Sequence, residues 1–148
     1  MARFTHPAFG DVGGLTTTIN SYTSIWSGTG LTYTNNPVTA SYVKIGNLVT
    51  AQINVSFANV TNFGTGQYSL TLPFPSKYHT DVFGGSVHNI LPAVTNHYSL
   101  KAHLSAGSST MTIWDISGSG KDEPFDHNSP FILRTSELFH MLLTYICE

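Results

Sequence analysis

From Val49 to Phe57 the chain alternates without a break. Val49, Ala51, Ile53, Val55 and Phe57 are apolar, and Thr50, Gln52, Asn54 and Ser56 between them are polar. Successive side chains of a strand point to opposite faces, so this period of two puts one set in a core and the other in a polar environment. A helix of 3.6 residues per turn cannot segregate the same residues. The stretch predicts a strand. Gly46-Asn47 before it predicts a turn or bulge after the apolar run that starts at Ser41.

The same period recurs down the chain. Tyr68, Leu70 and Leu72 alternate with Gln67, Ser69 and Thr71, and Pro73 and Pro75 end that strand. Val82 to Ile90 reads as a strand with a bulge or bend at Gly84-Gly85. Tyr98, Leu100, Ala102 and Leu104 alternate with His97, Ser99, Lys101 and His103, and a turn at 106–109 leads into Met111 to Ile116. Nearer the start, Tyr22 to Gly30 reads as a strand closing on two glycines, and Leu31 to Thr34 runs to a turn at Asn35-Asn36-Pro37. Phe131-Ile132-Leu133 is a short apolar segment.

The last run breaks the half-polar rule. Phe139, Met141, Leu143, Tyr145 and Cys147 form one face of a strand, and Leu138, Leu142 and Ile146 lie on the other, interrupted by His140 and Thr144. A strand apolar on both faces wants cover on both, and a subunit interface is the natural second cover. The interface residues are therefore Leu138, Phe139, Met141, Leu142, Tyr145 and Ile146. A C-terminal helix from Ser136 to Tyr145, capped by Ser136, is the competing reading.

Composition agrees with β structure. Only 9% of the 148 residues are charged, whereas 41% are hydrophobic and 12% aromatic. Ser, Thr and Asn number 16, 19 and 10 and replace most of the missing charge. A disordered chain would be poor in aromatics and rich in net charge, and a helical bundle rich in Ala, Glu, Lys and Leu. Seven to nine short strands with Gly, Asn and Pro turns predict an all-β fold, an antiparallel β-sandwich of jelly-roll type. So few charges leave strand edges without their usual protection, which points to edges covered by neighbouring copies, as in a homotrimer around an axis. Residues 1–20 have no clear period and read as an N-terminal arm or connector, and 21–148 as one sandwich domain. The apolar residues of the arm favour docking on a partner.

The function classes narrow by elimination. The basic residues Arg3, Lys44, Lys77, Lys101, Lys121 and Arg134 are scattered, so no stripe exists to neutralise phosphates and no nucleic-acid partner is expected. No apolar run is long enough for a membrane helix, no signal-type h-region opens the chain, and Cys147 alone cannot form an internal disulfide. Nucleophile-elbow, P-loop, dinucleotide-binding and zincin patterns do not occur, and no pair of carboxylates stands out, so no enzyme and no cofactor are expected. Cys147, ending an apolar strand, reads as an inert buried thiol.

His97 and His103 share a strand face but lie six residues apart, about 20 Å, too far for one metal. His79 and Asp81 supply two ligands, too few for zinc. His88 or His140 could gather three copies on a trimer axis. The loop from Asp122 through Glu123 and Asp126 to Asn128 has oxygen ligands without EF-hand spacing and reads as a solvated acidic loop. No metal site is expected. Asn54-Val55-Ser56 and Asn59-Val60-Thr61 fit the glycosylation acceptor pattern, which arises by chance in so Asn- and Thr-rich a chain. Trp26, Tyr33, Tyr42, Tyr78, Tyr98 and Trp114 are the aromatic pool for sugar stacking, with Trp114 the best surface candidate because it shares a face with Thr110 and Thr112.

Three segments carry a resemblance. They are Ile25 to Thr34 with Trp26 and Gly28, Ser41 to Val49 with Tyr42 and Gly46, and Gly66 to Phe74 with Leu72 and Pro73. In order and spacing they resemble a jelly-roll module of tailed-bacteriophage virion proteins, found at tail-fibre tips and on capsid-associated proteins, over roughly Tyr22 to Tyr145. The resemblance implies a trimeric, non-enzymatic virion structural protein, assembled in the host cytoplasm and placed on the virion surface. Only about twenty residues precede the module, so a capsid decoration (cement) protein is expected. Its partners would be itself and the major capsid protein, gripped through Arg3, Phe4, Phe9 and Leu15 of the arm. The alternative is a receptor-binding tail fibre or tail-tip protein that recognises host surface polysaccharide.

Overall fold

The computed structural model describes residues 18–90, 95–118 and 122–148. The arm residues Arg3, Phe4, Phe9 and Leu15 lie outside them. The described chain is all-β. Its strands are β1 (Asn20–Tyr22), β2 (Trp26–Thr29), β3 (Thr32–Tyr33), β4 (Val38–Ile45), β5 (Leu48–Ser56), β6 (Val60–Asn62), β7 (Thr65–Thr71), β8 (Thr80–Ile90), β9 (Thr95–Leu104), β10 (Thr110–Asp115), β11 (Glu123–Pro124) and β12 (Leu138–Ile146). One 3-10 turn, Phe57–Asn59, follows β5.

Ten strands form one antiparallel sheet in the order β1-β4-β5-β12-β8-β9-β10-β7-β2, with β11 paired to β10, while β3 and β6 pair separately. The order forces the sheet to curl. β1 and β2 are consecutive in sequence yet stand at opposite ends of the ladder, with only residues 23–25 between them. Four Cα steps span at most about 14 Å, so the two ends must meet. They meet at Thr71, whose carbonyl accepts from the Tyr22 hydroxyl of β1 (3.4 Å) and from the Ser24 hydroxyl (2.9 Å), and whose N–H donates to the Ile25 carbonyl just before β2 (3.2 Å). Tyr22 to Gly30 is thus not the single strand its sequence suggests: it breaks where the chain crosses from one sheet end to the other.

Inside the curl lies the core. The alternating residues Val49, Ala51, Ile53, Val55 and Phe57 are all at most 2% exposed, and Gln52, Asn54 and Ser56 face outward. Gly46 has a φ of 58° and Asn47 a negative one. Positive φ at the first turn residue alone is the type II′ hairpin geometry, which glycine accepts without strain. Rings run across the core in edge and stacked contacts: Phe63 to Phe57 (5.6 Å), Phe57 to Trp26 (5.0 Å), Trp26 to Tyr68 (4.9 Å), Tyr68 to Phe125 (5.5 Å) and Phe125 to Phe139 (5.9 Å). Cys147 is buried.

The C-terminal run is strand β12, not the competing helix, and it sits in the middle of the sheet between β5 and β8. Phe139, Met141 and Tyr145 are taken up by the chain's own core, at 2%, 1% and 4% exposure. Of the six residues assigned to an interface, only Leu138, Leu142 and Ile146 remain on the outward face. Parity decides this, since neighbouring strand residues face opposite ways.

The break at residues 23–25 makes a sharp distinction between neighbours. Trp26→Ala is expected to cost about 3–5 kcal/mol in denaturant unfolding, as a buried ring lost from the relay. Ile25→Thr, half-exposed one residue earlier, is expected to change stability by less than about 0.5 kcal/mol.

Candidate functional site

The outer face of the sheet carries the unexplained chemistry, and a bulge on β8 determines what it displays. The β8–β9 register shifts between Phe83 and Gly85. Before the shift Asp81 and Phe83 face outward; beyond it Ser86 and His88 do. The bulge thus reverses the strand's phase and brings residues of both parities to one face. A Cβ on Gly84 would lie 2.5 Å from the Leu142 carbonyl oxygen, so the close approach of β12 at this point requires glycine.

Three groups of side chains occupy this face. The first is apolar. Leu138, Leu142 and Ile146 of β12 are 45%, 55% and 36% exposed. Ile146 pairs with Leu48, which pairs with Ile45 across the β4–β5 hairpin, and both of these are exposed as well. Tyr78 is exposed beside Ile146 and Leu48 in one shallow groove.

The second group is a histidine cluster at the other end of β12. Register sets His88 opposite both His97 on β9 and Leu138 on β12, and His140 opposite Ser86. The His88 ring lies 4.2 Å from that of His97 and 5.0 Å from that of His140, between centroids. The Ser86 hydroxyl oxygen is 3.3 Å from His88 Nε2 and 3.1 Å from His140 Nε2. Burial, then the neighbouring His97 and His140, hold the His88 imidazole below the usual histidine value.

The third group is an ion network on β8 and β9. Asp81 accepts hydrogen bonds from Lys101 Nζ (2.9 Å) and pairs with His103 Nδ1 (2.7 Å), and Lys101 also contacts Asp122. The bonds from Lys101 and then from His103 hold the Asp81 carboxyl below its ordinary value, and those from Asp122 and then Asp81 hold the Lys101 ammonium above its own. Lys101 is flanked in register by Phe83 on β8 and Trp114 on β10. Phe83 is 67% exposed, and Trp114 is half-buried with its Nε1–H donating to Thr112 Oγ1 (3.2 Å). Strands are about 4.8 Å apart, so two outward rings stand roughly 10 Å apart with a charged row beside them.

A cleft of about 460 Å³ opens at one end of the sheet, lined by Tyr98, Asp115, Ser117, Gly118, Glu123, Asn128, Ser129 and Pro130. Asp115 is buried there and accepts from the Ser117 N–H (2.9 Å). Elsewhere, buried Glu137 accepts from the Arg134 N–H (2.8 Å) through Oε2, and its Oε1 has no partner among the described residues; burial pushes this carboxyl up.

Several candidates resolve into structural roles. Asp126 caps its own turn, accepting from the N–H groups of Asn128 (2.7 Å) and Ser129 (3.0 Å), and Asp122 goes to Lys101, so the acidic loop does not converge on one point. His79 is exposed and apart from Asp81's partners. His97 and His103 stay separate, each in its own group. Trp26 is core, Tyr33 donates its hydroxyl to the Trp26 carbonyl (3.3 Å), Tyr42 packs on Tyr22 and Phe74, and Tyr98 on Phe131. Among the described residues no set of three or more His, Cys, Asp or Glu is placed to hold a metal ion.

Sequence reasoning missed both outer-face polar groups, because their members come from different strands. A partial signal existed: the strand-like runs Val82 to Ile90 and His97 to Leu104 follow each other closely in sequence, as the two arms of a hairpin do. The Asp81–His103 pair needed the bulge as well, since it lies past the register shift. No family model, no curated protein and no solved structure matches the chain.

Lys101 owes its position to its stem as much as to its charge, being 9% exposed between two aromatic neighbours. Its carboxylate partners Asp81 and Asp122 are 36% and 50% exposed, so water screens the pairs to about 0–1 kcal/mol, whereas stem packing is lost on truncation. Lys101→Met is therefore expected to stay within about 1 kcal/mol of the native protein at neutral pH. Lys101→Ala is expected to be clearly less stable than Lys101→Met in the same urea titration.

Proposed function

We propose that the chain is a non-enzymatic structural protein of a tailed-phage virion, a capsid decoration protein seated on the head surface as a homotrimer. The curled sheet is read as the two facing layers of a jelly-roll sandwich. One observation carries the self-association: the outward face of β12, in the middle of the sheet, holds Leu138, Leu142 and Ile146, continued by Leu48 and Ile45. Contiguous apolar surface of this kind marks an interaction site. The virion assignment rests on the order of the Trp26–Gly28, Tyr42–Gly46 and Leu72–Pro73 motifs.

Sedimentation tests the assembly. The native chain is expected to run as a trimer and to bind undecorated heads, and Leu142→Arg is expected to run as a monomer with an unchanged circular dichroism spectrum. A native monomer at micromolar concentration would remove this reading.

A second reading has its own observation. The Phe83–Lys101–Trp114 row, with Asp81 and His103 beside it, offers aromatic faces and charged hydrogen-bonding groups suited to sugar rings. It favours a tail protein that recognises host surface polysaccharide. In that case the native protein binds host cells, and Trp114→Ala is expected to lower binding at least about tenfold, the loss of one to a few kcal/mol. Binding to heads but not to cells would exclude it.

A further inference from the structure

We propose that His88, His97 and His140 form a proton-operated latch on the seam between β8 and β12. Neutral, they let the two halves of the sheet join; charged, they loosen the join.

The seam is a narrow feature of the ladder. The sheet divides into β1-β4-β5-β12 on one side and β8-β9-β10-β7-β2 on the other, and the β12–β8 pairing is the strand ladder between them, with a single bridge at Ser76–Cys147 farther along. That pairing covers four residue pairs, Leu138–His88, Phe139–Val87, His140–Ser86 and Met141–Gly85. By comparison β5 and β12 pair over nine. Two of the four pairs on the seam contain a histidine, and a third histidine closes on His88 from β9.

The contacts of the cluster suit neutral rings. The His88 and His140 Nε2 atoms approach one hydroxyl oxygen, that of Ser86. A hydroxyl offers one donor and two acceptor sites. It can serve one ring as donor and another as acceptor when both are neutral. Two imidazolium rings can only donate, and they repel across a pair of adjacent strands.

Among the described residues, the surroundings offer the charged form no compensation. From β12 the cluster is faced by His140 and Leu138, from β9 by His97, and from β8 by Ser86. From β5 and β4 come Asn54, Ser56 and Thr39, which share a groove with His88, Leu138 and His140. None of these outside the imidazoles titrates. Glu137 is buried on the opposite side of the sheet. Lys101 is four residues along β9 from His97, about 13 Å, and carries a positive charge in any case; Asp81 is farther along β8 and is held by Lys101 and His103.

The direction of the effect follows from proton counting. His88 is held below its usual value of 6.5 in the folded chain, so the opened chain binds more protons once pH falls below that value. Seam stability is complete above about pH 6.5 and is lost as pH falls toward the folded value of His88.

Hydrogen exchange on the full chain tests the latch. Between about pH 7.5 and about pH 5, protection corrected for intrinsic rates is expected to fall on the order of tenfold at residues 85–88 and 138–141. The β4–β5 hairpin is expected to hold. The response should persist in His79→Gln, which lies outside the cluster, and vanish in the double variant His88→Gln, His140→Gln. Equal protection at both pH values, or a response that survives in the double variant, would overturn the proposal. If the double variant does not fold, ring titration by NMR on the native chain decides. The His88 midpoint should lie below that of a free histidine peptide and rise in His97→Gln. A His88 midpoint equal to that of a free histidine peptide and indifferent to His97→Gln would overturn it.

Discussion

The row of rings from Phe63 through Phe57, Trp26, Tyr68 and Phe125 to Phe139 holds the two ends of this fold together. Phe57 and Phe139 come from the β5–β12 side of the sheet, and Trp26 and Tyr68 from the β2–β7 side. Aromatic pairs at such distances add to the area they bury. Here they also supply the contact that hydrogen bonding cannot, because an antiparallel ladder bonds only its neighbours. The closure at residues 23–25 is the covalent counterpart: Ser24 and Ile25 tie to Thr71 so that the first strand and the second can stand at opposite ends of one sheet.

With the core enclosed, the outer face becomes the part of the molecule left free to interact. The bulge at Gly84 controls its content. Without the register shift, Asp81 and Phe83 would turn inward along β8, and the Asp81–Lys101–His103 network would not form. Glycine serves here because β12 passes too close for a side chain. One backbone irregularity therefore brings Asp81 and Phe83 to the same surface as Ser86 and His88. The apolar stripe of β12 divides these from the β4–β5 hairpin.

Much of the fold could be read from residue order. The alternation at 49–57 gave a buried face and an outward face as found, and Gly46-Asn47 and Gly84-Gly85 marked a turn and a bulge correctly. The final run was legible as a strand with two apolar faces, yet which face belonged to the core was not, because both satisfy the same period. Burial of Phe139, Met141 and Tyr145 came from their phase relative to Val55, Ile53 and Val49 on β5. The break between Tyr22 and Trp26 was hidden for a related reason: Ser24 and Ile25 fit a strand by propensity and leave it only because the chain must change ends.

By itself, then, the sequence determined the all-β class, the inward set of most strands and the scarcity of charge. These depend on side-chain period and composition, which are local properties. Tertiary structure alone decided which strands distant in sequence are neighbours, and with that the meeting of His140 with His88, while the bulge on β8 decided the meeting of Asp81 with His103. Cross-strand partners are fixed by register, and a single inserted residue changes every pairing beyond it. The chemistry on the outer face is a property of that register, and no stretch of consecutive residues contains it.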